Sequence, residues 1–511
     1  MLQPNDMRCL QRFVFSVFIG ALALGLTACD QGLTELNDNP NAPTQPNVEL
    51  VLPHVQQALI EARISSLPDT YVQYRGELLY VSDAIYERPN TNGQWSEFYT
   101  DILANANYIR DRAKAQGDPN VRALALIHRA FAFQLMTDIW GPIPYSEANY
   151  GRASGEDLIL SPKYDSQQDV YEGILDELEK AVGMIEVGSG SVGSADLIYG
   201  GDMAKWKLFA NSLRLRLYMR MSEANASTAE SGVQSIYSNG EYIAGNADNA
   251  LFEYKAYPNS HPMHQANRLR EDDKVASTLI DTLEGLNDPR LRVYAAPNHK
   301  NDTYLGLPPG VDKGHGYTNS EVSPFGAYFV SPTHPAVAMT AAEVHFILAE
   351  AAARGWISAN AEEHYESGVR SALLMYDDSK LSTHLSGFAG DEAYNTLQLE
   401  ADEFPDGITE AEVSSYLSQP GVAWNPADWR ELIGLQKWLL FYENQSYEGW
   451  FEWRRLNYPT LEPGPDALLD QVPVRLPYPE NEQSFNSENL QQAIEMLEGS
   501  DDMTTSVWWD Q

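Results

Sequence analysis

Apolar residues recur along most of the chain at helical spacing. Leu124, Ile127, Phe131 and Leu135 share one helical face, and Val170, Ile174, Leu178 and Val182 follow at spacings of four. Trp206, Phe209, Leu213 and Leu217 repeat the pattern, as do Tyr365, Val369, Leu373 and Tyr376. Further helices are predicted over 51–65, 95–116, 274–285, 339–356 and 428–447. Strand-like alternation is short and rare. Helices arriving in pairs point to an all-α fold, a tetratricopeptide-like helical-repeat scaffold in which each pair buries its face on the next. The repeat of about 34 residues is not kept strictly. Long irregular stretches are expected at 141–165, 240–273, 295–338, 380–427 and 456–487, and loops of that length usually carry function.

The N-terminus breaks this pattern. Arg8 and Arg12 precede an apolar and small run from Phe13 to Leu26, the layout of a secretion signal and too short to span a bilayer comfortably. The run ends Leu26-Thr27-Ala28-Cys29, a branched residue and two small ones before a cysteine. That is the lipobox pattern, in which the Cys29 thiol takes the diacylglyceryl group. Several acyl chains would anchor the protein firmly at about 0.8 kcal/mol per buried methylene. Residues 1–28 are thus expected to be a lipoprotein signal peptide. Residues 29–47, polar and rich in Asn and Pro, are expected to be a flexible tether. A single domain should occupy 48–511.

Charge removes whole classes of function. Asp and Glu number 72 against 34 Lys and Arg, a net charge of −38, which repels nucleic acid and anionic membrane surfaces alike. Only 11 of the basic residues are Lys, a balance that fits either salt adaptation or an ordinary acidic surface. Two cysteines, Cys9 and Cys29, support neither a disulfide framework nor a cysteine-based zinc site. Gly188 to Gly193 spells G-x-G-x-x-G but follows an amphipathic helix rather than a strand, so it reads as a loop. His261 and His264 flank Pro262 in a loop, a poor metal site, and no metal or cofactor is expected.

Several blocks, in order, resemble the SusD/RagB-like outer-membrane lipoproteins of Bacteroidota. They begin at Asn37-Asp38-Asn39-Pro40-Asn41 and continue with the segment from Asp138-Ile139-Trp140-Gly141 to Ser146-Glu147-Ala148. Pro162 to Asp165, Asp202 with Trp206 to Arg216, and Asp288-Pro289-Arg290-Leu291 follow. Later come Phe346 to Ala351, Gln436-Lys437-Trp438 to Arg455, and Arg475-Leu476-Pro477-Tyr478-Pro479. The resemblance covers nearly the whole mature chain. It implies a cell-surface, lipid-anchored protein with no catalysis. Such a protein binds a glycan or peptide and delivers it to a partner TonB-dependent transporter of SusC type. Physically, most of these blocks are scaffold: Gly141 ends a helix, Asp202 caps one, Asp288 starts a turn, and Arg454 and Arg455 stack on tryptophans or pair with buried carboxylates. The alternatives are a helical glycan-degrading lipoprotein, such as an α/α-barrel lyase or hydrolase, and a helical-repeat scaffold of the envelope.

A sugar offers apolar C–H faces flanked by hydroxyls, which call for aromatic rings beside Asn, Asp, Gln and Arg. Three loop groups qualify. Tyr86, Arg88, Asn90, Asn92 and Trp95 form the favoured one; Tyr257, Asn259, His264 and Asn267 form a second; Tyr304, Tyr317, Phe325 and Tyr328 form a third. The site is therefore expected on loops, while Trp206 and Phe209 belong to the core.

Overall fold

The structure is a computed structural model that describes residues 46–510, apart from 151–157, 191, 268–269 and 389–403. Cys29, the 1–28 leader, most of the 29–47 tether and the Asn37–Asn41 block lie outside the described residues. From Val48 onward the chain forms one compact unit.

Ten described helices of eleven residues or more build the scaffold. They are α1 (Val48–Glu61), α2 (Ala104–Gln116), α3 (Pro119–Trp140), α4 (Gln167–Met184) and α5 (Met203–Arg220). Then come α6 (Ala226–Asn239), α7 (Ala341–Ala353), α8 (Ala361–Leu373), α9 (Trp429–Phe441) and α10 (Ser446–Leu456). Helices α1 to α6 pack in succession, α5 meets α7, α7 pairs with α8 and α9, and α9 pairs with α10. The arrangement is the expected tetratricopeptide-like stack. Its starts are written locally: Asp118 accepts from Val121 N with Pro119 next in the chain, Ser166 from Asp169 N, and Asp202 from Ala204 N and Lys205 N. Helix α3 is buried on every side, from Asn120 to Trp140 with Arg122 excepted, so it is the axis of the stack. It stops at Gly141, whose φ of 86° suits glycine and whose added Cβ would lie 2.9 Å from Leu497.

Several boundaries differ from the periodicity. The stretch read as one helix over 428–447 is two, broken between Tyr442 and Gln445, where Glu443 has a φ of 51°. The polar side chains of the break are buried like their apolar neighbours, so the pattern runs on through it. The helix expected from 274 begins at Ser277, because Asp273–Val275 pairs as a strand. The 380–427 stretch, expected irregular, contains helices Asp378–Leu385 and Glu410–Leu417. The described residues contain two small antiparallel ladders. Strand β1 (Arg75–Glu77) pairs with β3 (Asp273–Val275), and β2 (Ala250–Phe252) with β4 (Ala336–Met339).

Five cations and five carboxylates meet inside the stack. Arg216 donates to Glu343 at 2.6 Å and to Glu448 at 3.1 Å. Arg220 reaches Asp138, Glu448 and Glu452 at 3.1, 2.6 and 2.9 Å. Arg455 grips Glu350 at 2.7 and 2.6 Å, Lys437 pairs with Glu452, and Arg63 sits close enough to lower the Glu448 carboxyl. Burial alone would raise the carboxyl of Glu452, but Arg455, Lys437 and Arg220 hold it well below the usual range. Glu350 and Glu448 are lowered by the same contest.

Two predictions follow from this network. Glu448→Ala leaves Arg216 with Glu343 alone and Arg220 with Asp138 and Glu452, one carboxylate short in a buried cluster, and should cost about 3–5 kcal/mol of stability in urea unfolding; a change under about 1 kcal/mol would show that the network is not holding the stack. The second concerns acid. Where the folded pKa lies below the unfolded one, the unfolded chain binds more protons, so stability is lost as pH falls. Glu350, Glu448 and Glu452 act in this way below about 4.5. His261 and His364, pushed by burial to about 3 and about 4, add to it. Glu77 is pushed by burial up to about 8 and works oppositely, its contribution being lost as pH rises through that value. The thermal midpoint should therefore drop steeply between pH 4.5 and 3; a flat midpoint across that range contradicts the assignment.

Candidate functional site

The β1–β3 ladder carries loops that form two broad clefts. After β1 the chain turns through Leu78 and Leu79, whose N–H groups donate to Asp272 O at 2.8 and 3.1 Å. Leu307 N donates to Val275 O at 2.9 Å and Ser277 N to Leu307 O at 2.9 Å, tying the 295–330 segment to the end of β3. Gly306 makes that approach possible, since a Cβ there would lie 2.3 Å from Ser277 N. Leu78, Leu307, Val311 and Val322 close a small second core under these loops.

Two adjoining concavities open on this platform, of about 660 and 840 Å³, sharing Asn267, Glu271 and His299. Phe325 is buried among the lining residues of the first, with the Arg75 guanidinium 5.1 Å from its ring, and half-buried Tyr304 also lines it. The Asn298 side chain organises the adjoining turn. It donates to Thr303 O at 2.6 Å and accepts from Lys300 N and Asn301 N at 3.1 and 3.3 Å. Lys300 then bridges to Glu321 at 2.6 Å. Bonds from Lys300 and Thr318 hold the Glu321 carboxyl down to about 2.

The second concavity is lined by Leu79, Arg270, Lys313, His315 and Tyr317. His315 Nδ1 accepts from Tyr317 N at 2.9 Å, so the ring proton is on Nε2, which faces Leu78 O at 3.4 Å. That bond sets the backbone carrying Tyr317, which stays 36% exposed. Beside Leu79, Tyr80 is 66% exposed with a φ of 61°, and the Arg270 guanidinium lies 5.2 Å from its ring. Tyr80 and Arg270 thus place an exposed aromatic face and a cation at the rim.

Of the thirteen residues in the three groups singled out from the sequence, Asn267, Tyr304, Tyr317 and Phe325 line these clefts. The favoured group does not. Tyr86 is buried edge-on against Tyr71 at 5.7 Å, and burial pushes its hydroxyl up to about 12. Trp95 is buried in the short helix Asn92–Glu97 and meets Trp140 at 5.1 Å and Tyr478 at 6.2 Å. Arg88 bonds Asp501, and Asn92 accepts from Asn481 N. This group is a seam between the 86–95 loop and the C-terminal segment, so losing Tyr86 would act on the fold. His264 is buried with Nδ1 2.9 Å from Val330 O, under the site rather than in it. Tyr257 is 53% exposed in a separate turn and is not among the cleft-lining residues. The third group contributes Tyr304, Phe325 and Tyr317, while Tyr328 is core.

The residues that sequence reasoning missed are polar: Arg270, Asn298, His299, Lys300, Lys313 and His315. Their signal was present in the His299-Lys300-Asn301-Asp302 and Lys313-Gly314-His315-Gly316-Tyr317 runs inside a loop already marked as long. Among the described residues no cluster of three His, Cys, Asp or Glu is arranged to hold a metal. Gly188 to Gly193 leads into a single 3-10 turn, Gly193–Ala195, and opens no helix.

Known proteins share this fold. A SusD-like family model, described as "Starch-binding associating with outer membrane", matches residues 40–479. Among solved structures, a chitin-binding protein is similar at 28% identity and a TM-score of 0.76, covering 91% of this chain and 100% of that one. A SusD homologue from Bacteroides fragilis is similar at 26% identity and a TM-score of 0.75, with the same coverage. A SusD homologue from Bacteroides uniformis is similar at 26% identity and a TM-score of 0.71, covering 90% of this chain and 99% of that one. No curated protein matches the sequence.

Proposed function

The chain belongs to the SusD-like family of outer-membrane proteins, and from that membership we propose that it binds oligosaccharide in the clefts of the 267–330 region and hands it to a partner TonB-dependent transporter of SusC type. The observation that carries this reading is the pair of adjoining concavities on a rigid ladder, furnished with Tyr304 and Tyr317 among polar side chains. Aromatic faces stack on sugar C–H surfaces, and the surrounding Asn267, Asn301 and Asn319 are suited to the hydroxyls. The starch-binding description of the family and the chitin-binding description of one similar structure support a glycan over a peptide.

The protein acts by binding and not by catalysis. A glycosidase needs two carboxylates across the scissile bond. The acids lining the clefts are Glu271 and Asp302, and Glu271 is tied to the Lys274 ammonium. The lipobox ending at Cys29 and the polar stretch after it support an acylated N-terminus on a tether, with the folded body facing outward.

Calorimetry against a panel of oligosaccharides tests the binding. Tyr317→Ala should weaken the best ligand about ten- to a hundredfold, by analogy with stacked bases, and leave the fold unchanged. Undiminished affinity removes Tyr317 from the site, and turnover of any panel member moves the protein to the enzyme reading. Gentle detergent extraction from the native host tests anchor and partner together. The protein should emerge with a barrel protein and with acyl mass on an N-terminal Cys29; recovery alone and unacylated contradicts both.

A further inference from the structure

The glycan reading leaves the class of sugar open, and the charges around the clefts narrow it. Their lining carries four cations, Arg270, Arg292, Lys300 and Lys313, against two acids, Glu271 and Asp302. In the whole chain the acids lead by 72 to 34. Lys274 neutralises Glu271 from a buried position. The balance inside the clefts is therefore inverted relative to the molecule. Resting on the glycan reading, we infer that the site selects oligosaccharides bearing carboxylate or sulfate groups over neutral ones.

Three of the four cations are available to such a ligand, while Arg292 is held by Glu412 at 2.9 Å and by the carbonyls of Pro289, Asp406 and Gly407. Arg270 pairs with Asp272 and Lys300 with Glu321, but the two cationic side chains are 56% and 61% exposed. Exposed pairs of this kind are held by only about 0–1 kcal/mol, so a ligand anion exchanges for the protein carboxylate at little cost. Lys313 is exposed and pairs with no described acid.

Arg270 makes the choice sharper. Its guanidinium lies over the exposed Tyr80 ring, the face a sugar at the rim would stack on. A pyranose seated there displaces it. A carboxylate or sulfate on that sugar recaptures it through a charge-assisted, bidentate contact. A neutral sugar displaces the guanidinium and offers only hydroxyls in return. The same side chain thus rewards one class and penalises the other. The acidic remainder of the surface does not forbid this. At physiological ionic strength charges are screened beyond about 8 Å, whereas those in direct contact are not.

The test uses the purified full chain at about 0.15 M salt and three size-matched oligosaccharide series: neutral chito- or malto-oligosaccharides, oligogalacturonates, and sulfated galactans. At least one anionic series should bind tenfold or more tightly than the neutral one, and which one it is separates carboxylate from sulfate. Arg270→Gln and Lys313→Gln should each narrow that ratio at least threefold. Neutral ligands binding as tightly as both anionic series overturns the inference and leaves glycan binding standing. Binding of none of the three overturns the glycan reading and this inference with it.

Discussion

The fold rests on a balance of charge that no surface reveals. Five cations and five carboxylates are drawn from α3, α5, α7, α9 and α10 and from Arg63 just beyond α1, and they neutralise one another inside the stack. A buried ion left alone is far more costly than a buried pair is stabilising, so each helix is needed to excuse the charges of the others. The set therefore works as a specification. A helix displaced by one turn would bury apolar surface about as well, but it would leave a guanidinium facing hydrocarbon. The tryptophans reinforce the same point: Arg454 lies 4.8 Å from the Trp450 ring and 4.4 Å from the Trp509 ring.

Much of this architecture was legible in the sequence. Apolar periodicity located the long helices, and Asp202 caps α5 as its position before Trp206 implied. The motif blocks, far apart in the chain, are neighbours in space. Arg475 donates to Trp140 O at 2.9 Å, Tyr478 to Pro142 O at 2.7 Å, and Asp165 accepts from Ser146 N at 2.7 Å. What periodicity could not show was the break at Tyr442–Gln445, where Gln445 is buried for its bonds to Arg63 and Arg216. Polar residues that are buried because they are paired look like surface until their partners are known.

The candidate clefts were legible only as a region. The 295–338 loop was marked by its length, and Tyr304, Phe325 and Tyr317 within it reach the clefts. Density of aromatic and polar residues over ten positions favoured 86–95 instead, and the structure buries the two rings of that group. Tyr86 and Trp95 found aromatic partners at Tyr71 and Trp140, which lie in other elements. Conversely, Arg270 and Tyr317 come together from segments nearly fifty residues apart. A binding site made of crossing loops leaves no compact signature in one stretch of chain.

The closing residues of the chain are part of its axis. Trp509 donates to Asp138 on α3 at 2.7 Å, Asp510 pairs with Arg454 at 3.1 Å, and Leu476 N reaches Ile139 O at 3.1 Å. During synthesis α3 is made more than three hundred residues before the tryptophan that finishes its surroundings. At about 5–20 residues per second, that leaves tens of seconds in which the central helix has no complete environment. The burial of the central helix therefore depends on a segment that is made long after it.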